Sequence, residues 1–135
     1  MPADIKSELR RRATELGFAS LGVTRPDAIG DAAPRLREFI DRGRHGDMDW
    51  MAATLARRQN PEALWPEARS VVMLAMRYGG DGDRLAALTN RDRGSIAAYA
   101  KGRDYHGVVK GRLKTLAGWL AAAADADVKV FVDTA

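Results

Sequence analysis

The run Ser70-Val71-Val72-Met73-Leu74-Ala75-Met76-Arg77-Tyr78 constrains this chain more than any other stretch. Its apolar residues do not alternate with polar ones, so as a strand it would need cover on both faces. The cover must come from amphipathic helices, and the rest of the sequence supplies them. Ile5, Leu9, Ala13 and Leu16 recur on one face of a 3.6-residue repeat, which predicts a helix over 3–16. Asp4 is placed to cap its start and Gly17 to end it. A second helix is predicted over 32–42, with Leu36, Phe39 and Ile40 apolar and Gly43 as the stop. A third runs from Asp47 through Trp50, Met51 and Leu55 to Arg58, where Asn60-Pro61 breaks it. A short helical turn is expected at Glu62–Trp65. A long helix spans Tyr105–Ala124, with Val109, Leu113, Leu116 and Leu120 aligned.

Three further segments read as strands: Phe18–Thr24, Ser95–Ala100 and Val128–Val132. Gly79-Gly80-Asp81-Gly82-Asp83 opens a connection lasting to about Gly94. The order predicts an α+β fold, a mixed central sheet flanked by helices. At 135 residues the chain suits one domain. It stops directly after a core-like strand, so it is expected to be the N-terminal piece of a longer protein.

Composition removes several classes of function. There is no cysteine, hence no disulfide, thiolate zinc site, cysteine nucleophile or iron–sulfur ligand within these residues. No apolar stretch is long enough to span a membrane and no secretory leader is visible, so the cytoplasm is expected. Twenty-two basic and 18 acidic residues leave a net charge of +4, which permits an acidic partner such as RNA without demanding one. No phosphate-loop, dinucleotide-binding or nucleophile-elbow pattern is present. His45 and His106, far apart in sequence, point to no metal site, and Asp47-Met48-Asp49 is too short for a calcium loop.

Two places could carry chemistry. Asp133 ends the apolar segment Val130-Phe131-Val132, where a strand would deliver it to the mouth of a sheet. A carboxyl there can serve as a general acid, or simply cap the next stretch of chain. Lys101-Gly102-Arg103-Asp104-Tyr105-His106 lies before a helix N-terminus, where backbone N–H groups favour anions. The plainer reading is that Asp104 is the N-cap and His106 part of the first turn.

Several elements resemble those of the epoxyqueuosine reductases. His45-Gly46-Asp47-Met48-Asp49-Trp50-Met51 is similar to the family's H-G-x-M-x-W-M. Arg58, Pro61 and Leu64-Trp65-Pro66 through Ser70-Val71 resemble R-x-x-P-x-x-L-x-P-x-x-x-S-V. Tyr99 through His106 looks like Y-x-x-G-x-D-Y-H, and Phe131-Val132-Asp133-Thr134-Ala135 like F-V-D-[ST]-A. Gly17-Phe18 to Val23-Thr24 fits G-F-x-x-x-G-[IV]-T. These elements occur in order along nearly the whole chain.

The resemblance implies a cobalamin-dependent oxidoreductase that reduces epoxyqueuosine in tRNA to queuosine. Electrons would come from a donor through two 4Fe–4S clusters in a following ferredoxin-like part. The implied fold is a nitroreductase-like, reductive-dehalogenase-like cobalamin-binding domain, here truncated. Asp133 matches the family's proton donor, which also lies at the cofactor. Arg58 and Ala97 match cobalamin contacts, the latter through its backbone. Asp104, Tyr105 and His106 belong to the signature, with roles left open between cofactor contact and loop support. The cysteine motifs that come later in the family are absent, so the piece alone is expected to be inactive. A monomer is expected. The alternatives are a non-catalytic module binding RNA or a partner, and a nitroreductase-like flavin protein.

Overall fold

The computed structural model describes residues 3–80, 82–83 and 85–133. The chain divides into two compact units, one built from residues 3–21 and 74–133, the other from residues 22–73.

The first unit is organised by two helices, α1 (Ala3–Glu15) and α6 (Tyr105–Ala124), which pack on each other. Both match the apolar periodicity. Leu9 and Ala13 of α1 and Leu116 and Leu120 of α6 are buried, with Leu9 fully so. Burying one such leucine contributes about 1.5–3 kcal/mol. Arg12 lies over the Trp119 ring, 4.7 Å from its centroid, so a cation also spans the two helices.

Helix α1 ends as its sequence predicts. Gly17 takes φ 84°, and the N–H groups of Gly17 and Phe18 donate to the carbonyls of Thr14 and Ala13. Phe18 is thereby turned into the core. A side chain at Gly17 would meet Arg112, whose Nη1 lies 2.6 Å from where a Cβ would stand. Helix α6 starts at an aspartate cap and ends at Asp125, which is left-handed with φ 47°.

The second unit carries four helices: α2 (Ala32–Asp41), α3 (Asp49–Ala53), α4 (Leu55–Arg58) and α5 (Pro61–Leu64). Helix α4 packs with α2, α3 and α5, and α5 packs on a 3-10 turn at Pro26–Ile29. Asn60 caps α5 by accepting from the Ala63 N–H at 2.7 Å, with Pro61 as the first helical residue. The predicted third helix is in fact two. Thr54 departs from helical geometry at φ −108° and ψ 13°. Its hydroxyl donates back to the Trp50 carbonyl at 2.6 Å, a bond that competes with regular helix.

Among the described residues the sheet is small. Strands β1 (Ser20–Thr24) and β2 (Val71–Ala75) pair as a two-stranded sheet. This makes the fold α+β, while the expected mixed central sheet is corrected to two strands. Strand β2 is not covered on both faces: Met73 is 63% exposed. Residues 95–100 form no strand. They lead into a 3-10 turn at Ala98–Ala100, and Ile96 is 65% exposed. Alanines at 97, 98 and 100 offer little of the branched bulk that favours a pleated surface. Residues 128–132 also lack a ladder, with only an isolated bridge at Val132. Among the described residues no helix is long and apolar enough to cross a membrane.

Candidate functional site

The start of α6 is where the chemistry gathers. Asp104, the N-cap, accepts with Oδ1 from the backbone N–H of His106 at 3.0 Å. The same oxygen lies 2.8 Å from Nδ1 of the His106 ring. One carboxylate thus closes the first helical turn and holds the imidazole in place. These two bonds to His106 hold the Asp104 carboxyl below the usual carboxylate range, the ring contact contributing most.

Tyr105 and His106 stack, with ring centroids 4.2 Å apart and planes at 25°. Both polar tips meet Asp133, 28 positions after Tyr105 in sequence. The Tyr105 hydroxyl donates to Oδ2 of Asp133. His106 Nε2 stands 3.4 Å from that same oxygen. The bond to Asp133 comes first in pushing the Tyr105 phenol up to about 12, followed by loss of solvent and the Asp133 charge. A phenolate beside a carboxylate would repel it.

Asp133 does not arrive at the end of a ladder strand. It comes after the lone bridge at Val132 and takes φ 62°. Its side chain is 53% exposed, so neighbouring donors rather than burial make its environment. The signature loop lines a concave pocket with residues 99–100 and 102–106. Gly102, at φ 90°, leaves open space where a side chain would stand. Tyr99 packs edge-on against Tyr105 at 6.2 Å, and Tyr78 edge-on against Tyr99 at 6.3 Å.

The expected site residues fall into two sets. Asp104, Tyr105, His106 and Asp133 come together. Ala97 lies in the same unit, before the 3-10 turn, and its carbonyl accepts from the Ala100 N–H at 2.9 Å. Arg58 belongs to the other unit, at the end of α4. Its guanidinium lies over the Trp50 ring, 4.7 Å from the centroid, and Nε donates to Thr54 Oγ1 at 2.7 Å. Its two terminal NH2 groups make no hydrogen bond or ion pair among the described residues. They remain available to a planar or anionic acceptor.

Sequence reasoning passes over Thr54 and takes in Tyr99 only as the first residue of the Y-x-x-G-x-D-Y-H element. Trp50, Thr54 and Arg58 repeat every four residues, a spacing that can reveal the stack. Nothing in the sequence pattern alone marks Tyr99 as a ring-packing partner.

Comparison with known proteins fits this arrangement. The family described as "Epoxyqueuosine reductase QueG, DUF1730" matches residues 58–134, beginning at Arg58 and taking in the whole Asp104–Asp133 cluster. Among curated relatives, the epoxyqueuosine reductase of Xanthomonas campestris is 36% identical over 99% of this chain and 38% of its own length. That of Escherichia coli is 32% identical over 97% of this chain and 35% of its own. That of Leadbetterella byssophila is 37% identical over 84% of this chain and 36% of its own. The chain therefore spans little more than a third of the length of these relatives. No solved structure matches it. With the family match running through both sets of site residues, the chain belongs to the epoxyqueuosine reductase QueG family.

Proposed function

We propose that residues 1–135 form the N-terminal, cobalamin-binding part of an epoxyqueuosine reductase, an oxidoreductase that reduces epoxyqueuosine in tRNA to queuosine. The observation that carries this reading is the Asp133 carboxyl held by Tyr105 and His106 beside an open, glycine-backed pocket. Opening an epoxide and losing its oxygen needs a proton at that oxygen, because an alkoxide or hydroxide leaves poorly. Asp133 is the group that delivers it. The named relatives support the substrate class, and they favour the reductase over a non-catalytic binding module or a flavin protein.

The residues present fit cobalamin. Its rim carries amides and a phosphodiester, which suit the backbone groups near Ala97 in the unit of α1 and α6; the free NH2 groups of Arg58, taken by themselves in the other unit, suit the same kind of acceptor. The absence of a side chain at Gly102 leaves room for close approach. Asp104, Tyr105 and His106 present both donors and acceptors at the pocket. When bound, cobalamin supplies the reducing electrons. The chain itself has no cysteine, so the two 4Fe–4S clusters would be held outside these residues. The proposed domain is of the nitroreductase-like, reductive-dehalogenase-like class. It would act in the cytoplasm as a monomer, fed by an electron donor. The net charge of +4 would add a salt-sensitive attraction to tRNA.

Titration of the chain with cob(II)alamin, followed by absorption and electron paramagnetic resonance, tests the proposal. A stoichiometric spectral change that weakens at least tenfold in Arg58→Ala is the expected result. A folded chain that leaves the cob(II)alamin spectrum unchanged would count against binding by these residues, and a flavin spectrum in the purified chain would favour the flavin reading.

A further inference from the structure

The geometry points to His106 as the positioning residue that holds, and after each turnover restores, the proton on Asp133, with Asp104 as its anchor. Counting protons around the imidazole leads there. Asp104 Oδ1 sits 2.8 Å from Nδ1 and already accepts the backbone N–H of the same residue. A carboxylate in that position accepts, so the ring proton belongs on Nδ1. Neutral His106 then presents a bare lone pair at Nε2. That lone pair faces Asp133 Oδ2 at 3.4 Å.

Two unprotonated atoms on that line would repel. One shared proton resolves the contact in either of two ways, as imidazolium against carboxylate or as imidazole against carboxylic acid. The groups facing the ring are these two carboxyls and the stacked Tyr105, whose hydroxyl donates to the same Oδ2. Once Asp133 has given its proton to the substrate oxygen, it is a carboxylate with Tyr105 still bonded to it. The shared proton is then spent and Nε2 is bare; solvent protonates it, because the side chain is 53% exposed, and the resulting imidazolium passes that proton to Asp133. His106 is left neutral, with Nδ1–H retained on Asp104. The separation must close by about 0.5 Å for that transfer, an amount one side-chain torsion provides.

The use of this proton in turnover rests on the reductase reading; the placement of the proton does not. Nitrogen-15 NMR of the chain reads the placement on the neutral imidazole directly, and His106→Gln assigns the signal against His45. The proton should reside on Nδ1. Asp104→Ser keeps a capping oxygen for the backbone but removes the ring's acceptor, and should move the proton to Nε2. A parent ring protonated on Nε2, or no change in Asp104→Ser, would overturn the proposal. In the cobalamin-loaded holoenzyme, His106→Ala should slow steady-state turnover by about 10²-fold. Added imidazole should restore it, but should not restore Asp133→Asn. Unchanged turnover in His106→Ala, or a loss that imidazole does not relieve, would equally sink the relay. A holoenzyme with no turnover would count against the reductase reading, leaving the NMR result to decide the proton's placement.

Discussion

Tyr105 reports on the cluster without any cofactor. Its ordinary phenol pKa is 10.0, and its bond to Asp133 pushes it up to about 12. The cause is specific. Ionising Tyr105 would break the donation to Oδ2 and set a phenolate against a carboxylate. At about pH 11 a phenol titrating at about 12 is about one-eleventh ionised, whereas an ordinary one is about ten-elevenths ionised. The ultraviolet absorbance of phenolate measures this fraction. Subtracting the titration of Tyr105→Phe from that of the parent leaves Tyr105 alone.

The expected difference signal is small at about pH 11 and grows above it. In Asp133→Asn the charge is gone, and the midpoint should fall toward the ordinary value. Stability depends on pH in the same window. The folded pKa is raised, so the stabilisation is fully present below about pH 10 and is lost as pH rises through about 12. Tyr105→Phe should flatten that alkaline window. A Tyr105 midpoint near 10 in the parent, or one that ignores Asp133→Asn, would refute the contact and with it the geometry of the site.

Other substitutions test the scaffold. Leu9 is fully buried, so Leu9→Ala should cost about 3 kcal/mol, read as a lower urea midpoint with unchanged slope. Gly17→Ala forces a Cβ into the left-handed region and toward Arg112, and thermal unfolding should show a loss of more than about 1 kcal/mol. Thr54→Val keeps the side-chain shape but removes the acceptor of Arg58 Nε–H; hydrogen exchange at that Nε should quicken roughly fivefold, the equivalent of about 1 kcal/mol.

What can be read from the sequence divides along a physical line. Helix ends are decided within a few residues, by Gly17 and Gly43 at positive φ and by Asn60 and Asp104 as caps. These local signals locate α1, α2, α5 and α6 to within a residue or two. The strands expected at 95–100 and 128–132 do not form, because an apolar run reports a tendency to be covered, not a hydrogen-bonded neighbour. A strand needs its partner, and the partner is remote in sequence. The split of the predicted third helix at Thr54 falls between these cases. Its cause is local, but it depends on a hydroxyl choosing the Trp50 carbonyl over solvent.

The same line runs through the site. A strand carrying Asp133 to the mouth of a sheet is the natural reading of Val130-Phe131-Val132, and the structure holds no such strand. The carboxyl instead finds its setting through the first turn of α6, because Asp104 fixes His106 while Tyr105 stacks on it. In sequence, capping and ligand binding compete as explanations of Asp104 and His106, yet the geometry makes them one device. The cap that starts the helix also orients the imidazole, and the imidazole faces the acid. A short signature such as Tyr99–His106 can therefore be both structural and functional. Asp104→Ser separates the two roles, since it keeps an oxygen for the backbone and withdraws one from the ring.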